Sequence, residues 1–157
     1  LGSHKEEVLK VIERFPVMHC YNGNYKDGML SSVKCGFESL PVGFRAAMVF
    51  LGDQPMVETS VINKMINLYY TSGKGILVPV FENKRGHPLL ADNKYREEII
   101  TLDDLEGLKG LLRKHPADLL EVVTENPSVL KDIDTMEDYN NHINKSSQTW
   151  KRQSGSN

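Results

Sequence analysis

The spacing of apolar positions divides the chain into alternating helices and strands. Apolar residues three and four positions apart predict helices at about 5–15, 31–40, 58–72, 93–101, 104–115 and 136–144. Short apolar runs predict strands at 17–21, 46–51, 76–80 and 119–124. The alternation of the two element types predicts an α/β fold with a mainly parallel sheet.

The run 46–51 is continuously apolar and shows no alternation with polar residues. Strands that alternate between a buried and a solvent-exposed face show polar and apolar residues in turn. A continuous apolar run is typical of a strand covered on both faces, as in a parallel sheet between two layers of helices. We therefore expect this strand to be buried on both sides.

Length and composition favour one globular domain. The chain has 157 residues, of which 39% are hydrophobic and 25% are charged. We assign residues 1–145 to this domain and 146–157 to a polar tail or linker. The two cysteines show no metal-ligand spacing and do not imply a disulfide framework, so we expect a reducing, cytoplasmic environment.

The charge pattern argues against two classes of partner. The 19 basic and 21 acidic residues nearly balance and form no evident basic patch, so we expect no nucleic-acid partner. No apolar run approaches the roughly 20 residues that a membrane-spanning helix needs, so we expect no membrane span. A small-molecule substrate or a protein partner remains compatible with this composition.

The residues that follow strands are the first candidates for chemistry, because ligands of open parallel sheets bind outside the carboxyl ends of the strands. Asp53 follows the apolar run 46–51 after a single glycine. A carboxylate close to buried surface is costly unless it is paired, hydrogen-bonded or bound to a cation. The alternative is that Asp53 caps the helix after Pro55.

A second acidic pair lies at another strand-to-helix junction. Asp132 and Asp134 are two positions apart, so on an extended chain their side chains point the same way. The alternative is ordinary helix capping, with Asp134 or Thr135 as the N-cap of the next helix.

Two weaker signals come from a helix start and a turn. Gly28 is followed by hydroxyl residues at the start of a helix, where backbone N–H groups could bind an anion or the edge of a nucleoside, although most such segments are plain N-caps. His87 lies in a turn between Gly86 and Pro88, and an ordinary surface histidine is the simpler interpretation.

Taken together, four segments resemble, in the same order, the motifs of one enzyme family. Residues 28–36 resemble Gly-Met-x-Ser-Ser-hydrophobic-basic-x-Gly, and 51–55 resemble Leu-Ala-Asp-Gln-Pro. Residues 78–80 followed by 85–88 resemble a Pro-hydrophobic stretch followed by Gly-His-Pro, and 132–138 resemble Asp-Ile-Asp-Thr-Pro-Glu-Asp, with Met136 in place of the proline. The family is that of the nucleotidyltransferases similar to molybdenum cofactor cytidylyltransferase, the MobA-like NTP transferases.

The resemblance implies a Rossmann-like three-layer nucleotidyltransferase fold and a magnesium-dependent reaction. CMP would pass from CTP to the phosphate of molybdopterin with release of pyrophosphate, and a molybdenum hydroxylase is a candidate partner. Asp53 and Asp134 would be the catalytic metal ligands, with Asp132 a weaker candidate. The implied nucleotide-binding residues are Gly28, Met29, Ser31 and Ser32, and the implied acceptor-binding residues are Gly86, His87 and Pro88.

One feature of the family has no counterpart in this sequence. The family begins with a strand and a glycine-rich loop that holds the triphosphate, whereas Leu1-Gly2-Ser3-His4 resembles the end of the family's second strand. We therefore expect a sheet without its first strand, either because the chain is truncated or because the strand belongs to an upstream segment. Alternatively, a second copy of the chain covers the gap. We also expect the chain alone to be poorly active.

Two other functions remain open at this stage. The enzyme could use GTP or a different phosphate acceptor, because base choice depends only on the Gly-Met-x-Ser-Ser segment. Alternatively, the chain could be a non-catalytic accessory that binds the molybdenum cofactor. The presence of two candidate metal carboxylates, Asp53 and Asp134, argues against the second alternative.

Overall fold

The computed structural model describes residues 1–141, so the tail at 146–157 and the end of the predicted helix 136–144 lie outside the described residues. One sheet contains the five strands β1 (Ala46–Val49), β2 (Ile76–Phe81), β3 (Lys84–Arg85), β4 (Leu89–Asp92) and β5 (Leu119–Val123). The helices are α1 (Lys5–Ile12), α2 (Met29–Ser39), α3 (Thr59–Ser72), α4 (Arg96–Thr101) and α5 (Leu108–Lys114), and residues 136–141 are helical.

The sheet is mixed, because an antiparallel insertion interrupts the strands that run in the predicted common direction. β2 pairs with β5 in parallel and with β4 antiparallel, and β4 pairs antiparallel with β1. It follows that β1, β2 and β5 run in the same direction and that β4 returns between β1 and β2. The short strand β3 pairs with the end of β2 as a hairpin.

The central strand β2 separates two apolar clusters, which makes the fold three-layered. Ile76 and Val78 pack into a cluster with α2, α4 and α5. Leu77 points the other way, into a cluster with Met65 of α3 and Val129. Alternate side chains of a strand point to opposite faces, so both faces of β2 are buried by helices. The three-layer α/β fold implied by the resemblance is confirmed.

Two strand predictions were wrong in part. Residues 17–21 form no strand, because they have no hydrogen-bonding strand partner among residues 1–141, and Met18 is 77% exposed. Both faces of β1 are covered, since Ala46 and Met48 pack against one apolar cluster and Ala47 and Val49 pack against the other. All four residues are only half-buried, however, so the expectation of full burial fails for 46–51, and β4 is the one described strand beside β1.

Other differences concern the helices and a strand that the sequence did not reveal. α1 forms as predicted but ends earlier, and its apolar stripe of Val8, Val11 and the following Phe15 is exposed within the described structure. The apolar pattern did not predict β4, because this strand has only four residues and follows directly on the Gly-His-Pro turn. No helix in residues 1–141 is long and apolar enough to cross a membrane.

Asp118 connects three elements at the start of β5. Its carboxylate accepts hydrogen bonds from the backbone N–H of Gly75 at 3.1 Å and from the Tyr95 hydroxyl, and it forms an ion pair with Lys94 at 2.7 Å. Burial alone would raise the pKa of Asp118, but the hydrogen bonds from Lys94 and Tyr95 outweigh it and lower the pKa. Ionised Asp118 therefore stabilises the fold above its ordinary pKa, and this stability is lost as the pH falls through the lowered value.

Replacing this carboxylate by an amide should make stability less dependent on pH. We expect Asp118→Asn to lower the melting temperature at neutral pH but to have less effect at about pH 3, which lies below the ordinary pKa of aspartate. At that pH, protonation of the unfolded chain has already removed part of the stability that Asp118 contributes. Thermal unfolding followed by circular dichroism at both pH values measures this. Asp27→Asn, which changes an exposed carboxylate, is the control, and an equal loss at both pH values would contradict the assignment.

Candidate active site

The candidate site lies at the carboxyl ends of β1, β2 and β5, the three strands that run in the same direction. In the pairing of β1 with β4, Val49 lies opposite Leu89. The residues that follow Val49 and those that precede Leu89 therefore leave the sheet side by side. This register brings the loop of Asp53 next to the turn of His87.

A backbone contact with Val129 holds the turn in place. The backbone N–H of His87 donates to the carbonyl oxygen of Val129 at 2.9 Å, and that of Gly86 donates to the carbonyl oxygen of Pro79 at 2.8 Å. A Cβ atom at position 86 would lie 2.1 Å from the Val129 oxygen. Only glycine leaves room for this contact.

Two further contacts connect the acidic segment after β5 with the loop after β1. Gln54 is buried, and its Nε2 donates to Oδ1 of Asp132 at 2.6 Å. The backbone N–H of Ile133 donates to the carbonyl oxygen of Asp53 at 2.8 Å. These contacts bring together Asp53 and Asp132, which are nearly eighty positions apart in sequence. We call the region of these two carboxylates the acidic corner.

His87 faces this corner. Burial lowers the pKa of His87 below its ordinary value, although the negative charges of Asp132 and Asp53 act in the opposite direction. The net direction favours a neutral imidazole at neutral pH. A neutral ring can donate one hydrogen bond and accept another, so it can contact a ligand without adding a positive charge.

Capping of the last helix distinguishes the two carboxylates after β5. Thr135 is the cap: its Oγ accepts from the backbone N–H of Asp138 at 3.1 Å, and its own N–H donates to Oδ2 of Asp138 at 3.0 Å. Thr135 is therefore the N-cap of this helix, and Asp134, which is exposed, is not. Asp132, the weaker candidate, is the one that contacts the loop of Asp53 through Gln54.

The start of α2 is organised by Asn22, which the sequence analysis did not select. This buried amide donates from Nδ2 to the hydroxyls of Ser31 at 2.8 Å and Ser32 at 2.9 Å. Gly28 precedes the helix with φ of 106° and provides no side-chain cap. The first-turn N–H groups therefore receive no side-chain cap at this end. The only sequence signal for Asn22 is its position in a turn-rich stretch.

Two cavities border this edge of the sheet and share one side chain. A cleft of about 440 Å³ lies between α2 and β1 and is lined by Met29, Ser32 and Gly52, among others. A second cavity of about 600 Å³ is lined by Met29, Gly86 and His87 together with residues of α5. The structure thus brings the start of α2 beside both the loop of Asp53 and the turn of His87.

The carboxylates do not form a ready-made metal cage by themselves. Within residues 1–141, no group of three or more histidine, cysteine, aspartate or glutamate side chains is arranged to hold a metal ion. Pro88 and Gly86 are buried beneath the turn, so of the three residues predicted to bind the acceptor, His87 has the most accessible side chain.

Comparison with known proteins identifies the family to which the chain belongs. The model of the MobA-like NTP transferase domain family matches residues 1–119. The chain belongs to this family. It is a nucleotidyltransferase by that membership. A search of curated proteins finds no match.

Solved structures with the same fold come from several organisms. The Rv0371c protein of Mycobacterium tuberculosis is 19% identical with a TM-score of 0.71, over 92% of this chain and 73% of that one. The 4-diphosphocytidyl-2C-methyl-D-erythritol synthase of Anaerococcus prevotii is 15% identical with a TM-score of 0.62, over 87% and 72%. Molybdopterin-guanine dinucleotide biosynthesis protein A of Archaeoglobus fulgidus is 13% identical with a TM-score of 0.59, over 92% and 75%. At these identities the likeness concerns the fold.

The contact between Gly86 and Val129 can be tested by adding one methyl group to this nucleotidyltransferase. We expect Gly86→Ala to lower the free energy of unfolding by about 1–3 kcal/mol, because the Cβ atom must displace the Val129 carbonyl. Urea denaturation measures the change. The matched control is Gly36→Ala in α2, where a Cβ atom meets nothing within 4 Å and should increase stability by up to about 1 kcal/mol. Similar effects of both substitutions would contradict the steric argument.

Proposed function

We propose that this nucleotidyltransferase transfers CMP from CTP to the phosphate of a molybdopterin-type acceptor, with release of pyrophosphate. The observation that carries the proposal is the pair of cavities that meet at Met29. A transfer between two bound molecules requires two adjoining binding spaces with the reacting groups at their junction. The acidic corner of Asp53 and Asp132 lies beside this junction.

The cleft between α2 and β1 suits the nucleotide. The uncapped start of α2 presents backbone N–H groups, and the positive end of the helix dipole favours a negatively charged ligand. The apolar wall contributed by Val33 and Phe37 can contact the flat face of a base. Gly28, Ser31 and Ser32 are our candidates for the ribose and base contacts, with Asn22 holding the two hydroxyl groups in position.

The larger cavity suits an acceptor with an anionic group and an apolar body. Its walls include Leu30, Val78 and Leu112, and its charged rim includes Lys109 and Arg113. Arg113 is already paired with Glu106 at 2.8 Å, so Lys109 is our stronger candidate for contacting the acceptor phosphate. His87 would provide a neutral hydrogen-bonding group at the inner end.

The donor set at the corner fits a divalent cation such as magnesium. Magnesium prefers oxygen ligands and commonly takes one or two carboxylates together with substrate phosphates. Asp53 provides one carboxylate, and Asp134 and Asp132 are the candidates for the other. Oε1 of Gln54 is a buried oxygen without a hydrogen-bond partner within the described structure, so a further oxygen lies near this corner. When bound, the ion would supply charge neutralisation for the phosphates.

The other residues of the site would act by positioning the nucleotide and the acceptor. An acceptor phosphate is largely ionised at neutral pH, so the transfer needs no general base and no covalent protein intermediate. The residues of α2 would orient the nucleotide, and His87 and Lys109 would orient the acceptor. The preference for CTP over GTP depends on the Gly-Met-x-Ser-Ser segment, which resembles the cytidylyl type.

Nucleotide binding should depend on the divalent cation and on Asp53. We expect calorimetric titration to show CTP binding that is stronger with magnesium than without it, and stronger than GTP binding. Asp53→Asn should reduce the gain from magnesium at least about tenfold, because it removes a proposed metal ligand while preserving side-chain size.

The control for this titration is Glu97→Gln, which removes one exposed negative charge from α4. It should leave the magnesium effect unchanged. Equal magnesium dependence in Asp53→Asn and the unaltered chain would reject the metal assignment. Tighter binding of GTP would reject the cytidylyl assignment and favour guanylyl transfer.

His87 should affect the acceptor and not the nucleotide. We expect His87→Ala to raise the KM for the acceptor about tenfold, through loss of hydrogen-bonding and packing contacts, and to leave the dissociation constant of CTP within about twofold. Steady-state kinetics and CTP titration measure the two quantities. His19→Ala, which removes an exposed imidazole, is the matched control. A selective loss of CTP affinity in His87→Ala would contradict our placement of the acceptor.

A further inference from the structure

The only two cysteines of the chain are in contact. Cys20 lies in the segment before the start of α2, and Cys35 lies in α2. The Sγ atom of Cys35 is 3.3 Å from the Sγ atom of Cys20, and Sγ of Cys20 is 3.6 Å from the carbonyl oxygen of Cys35. Their sequence spacing does not predict this contact, and neither residue has a role in the proposed transfer.

We propose that Cys20 and Cys35 are a redox-active pair that closes to an intramolecular disulfide and thereby fixes the Asn22 segment on α2. The sulfurs of a disulfide are about 2.05 Å apart, so these Sγ atoms need to approach by little more than about 1 Å from their separation of 3.3 Å. Cys35 also lines a polar cavity of about 350 Å³, which gives a small oxidant access to the pair.

The environments of the two thiols assign them different roles. The neighbouring Ser39 hydroxyl and, more weakly, the hydrogen bond that Sγ of Cys35 donates to Sγ of Cys20 lower the pKa of Cys20, whereas burial raises the pKa of Cys35. The thiolate is the reactive form of cysteine, so Cys20 is the attacking group and Cys35 the group that completes the bond.

Hydrogen peroxide is the oxidant class that we name. The Cys20 thiolate attacks one peroxide oxygen, the O–O bond breaks, and the departing hydroxide takes up a proton to become water, leaving a sulfenic acid on Cys20. The Cys35 sulfur then attacks the Cys20 sulfur, the S–O bond breaks, and the hydroxide leaves as water with the proton of Cys35. Two thiols lose two electrons in total, and one peroxide is reduced to two water molecules.

The bond would reinforce contacts that already join these segments. Cys20 is two positions before Asn22, whose amide bonds the hydroxyls of Ser31 and Ser32 on the same helix as Cys35. A covalent link between residues 15 positions apart removes conformations from the unfolded chain and restricts opening of the native segment. The disulfide form should therefore melt at a higher temperature, by on the order of 5 °C.

The test is oxidation of the full chain with hydrogen peroxide, followed by alkylation of free thiols and intact mass measurement. We expect the mass to fall by about 2 Da with loss of both alkylation sites, a proteolytic peptide that joins Cys20 to Cys35, and reversal by dithiothreitol. Amide hydrogen exchange at residues 21–24 should slow in the oxidised form. Cys20→Ser and Cys35→Ser are matched controls that should show neither the mass loss nor the slower exchange.

Three outcomes would overturn the proposal. Oxidation of one cysteine to the sulfinic acid without the joined peptide would show that the thiols do not pair. Disulfides found only between two chains would show that the pair is not intramolecular. A joined peptide without any change in melting temperature or exchange would show that the bond does not fix the Asn22 segment. Peptide mapping of the unaltered chain decides the first two even if the serine variants fail to fold.

Discussion

The contact between the backbone of residues 86–87 and the carbonyl oxygen of Val129 is the constraint on which the site depends. β1, β2 and β5 end at one edge of the sheet, but this alone does not bring the chain after β5 back to it. The hydrogen bond from His87 to Val129 does so, and it is possible because position 86 has no side chain. Asp132, three residues after Val129, is thereby close enough to accept the hydrogen bond from Gln54.

One small domain offers two adjoining cavities, and both border the same one of its two apolar clusters. Val33 and Phe37 of that cluster line the cleft between α2 and β1, and Leu30 and Val78 line the larger cavity. α2 covers one of these clusters with Leu30 and Phe37 while its first turn remains at the surface. The same helix therefore stabilises the core and contributes to both cavities.

Local sequence patterns predicted those parts of the fold whose formation is governed locally. β2 and α3 were predicted almost to their ends, because continuous burial and a helical stripe are visible within a few residues. The segment 17–21 has suitable residues for a strand, but strand formation needs a partner that local sequence cannot specify. Likewise, the apolar run of β1 did not reveal that only one described strand lies beside it.

The same distinction applies to the site. Asp53 was selected from its position after a strand and from the family motifs, whereas His87 was implied by the family motifs alone. The hydrogen bond of Asp132 with Gln54 spans 78 positions, so no local pattern favoured Asp132 over Asp134. In the sequence Asn22 looks like any asparagine of a turn, and only the structure shows that its amide contacts the hydroxyls of Ser31 and Ser32.

The position of Met29 has a practical consequence for spectroscopy. Its side chain is 56% exposed and borders both cavities. A methionine methyl group rotates freely and gives a sharp resonance even in proteins of considerable size. With all six methionines labelled and the Met29 resonance assigned by substitution, its chemical shift would therefore report whether a ligand occupies either cavity, and titration with each ligand alone would show whether one binds only after the other.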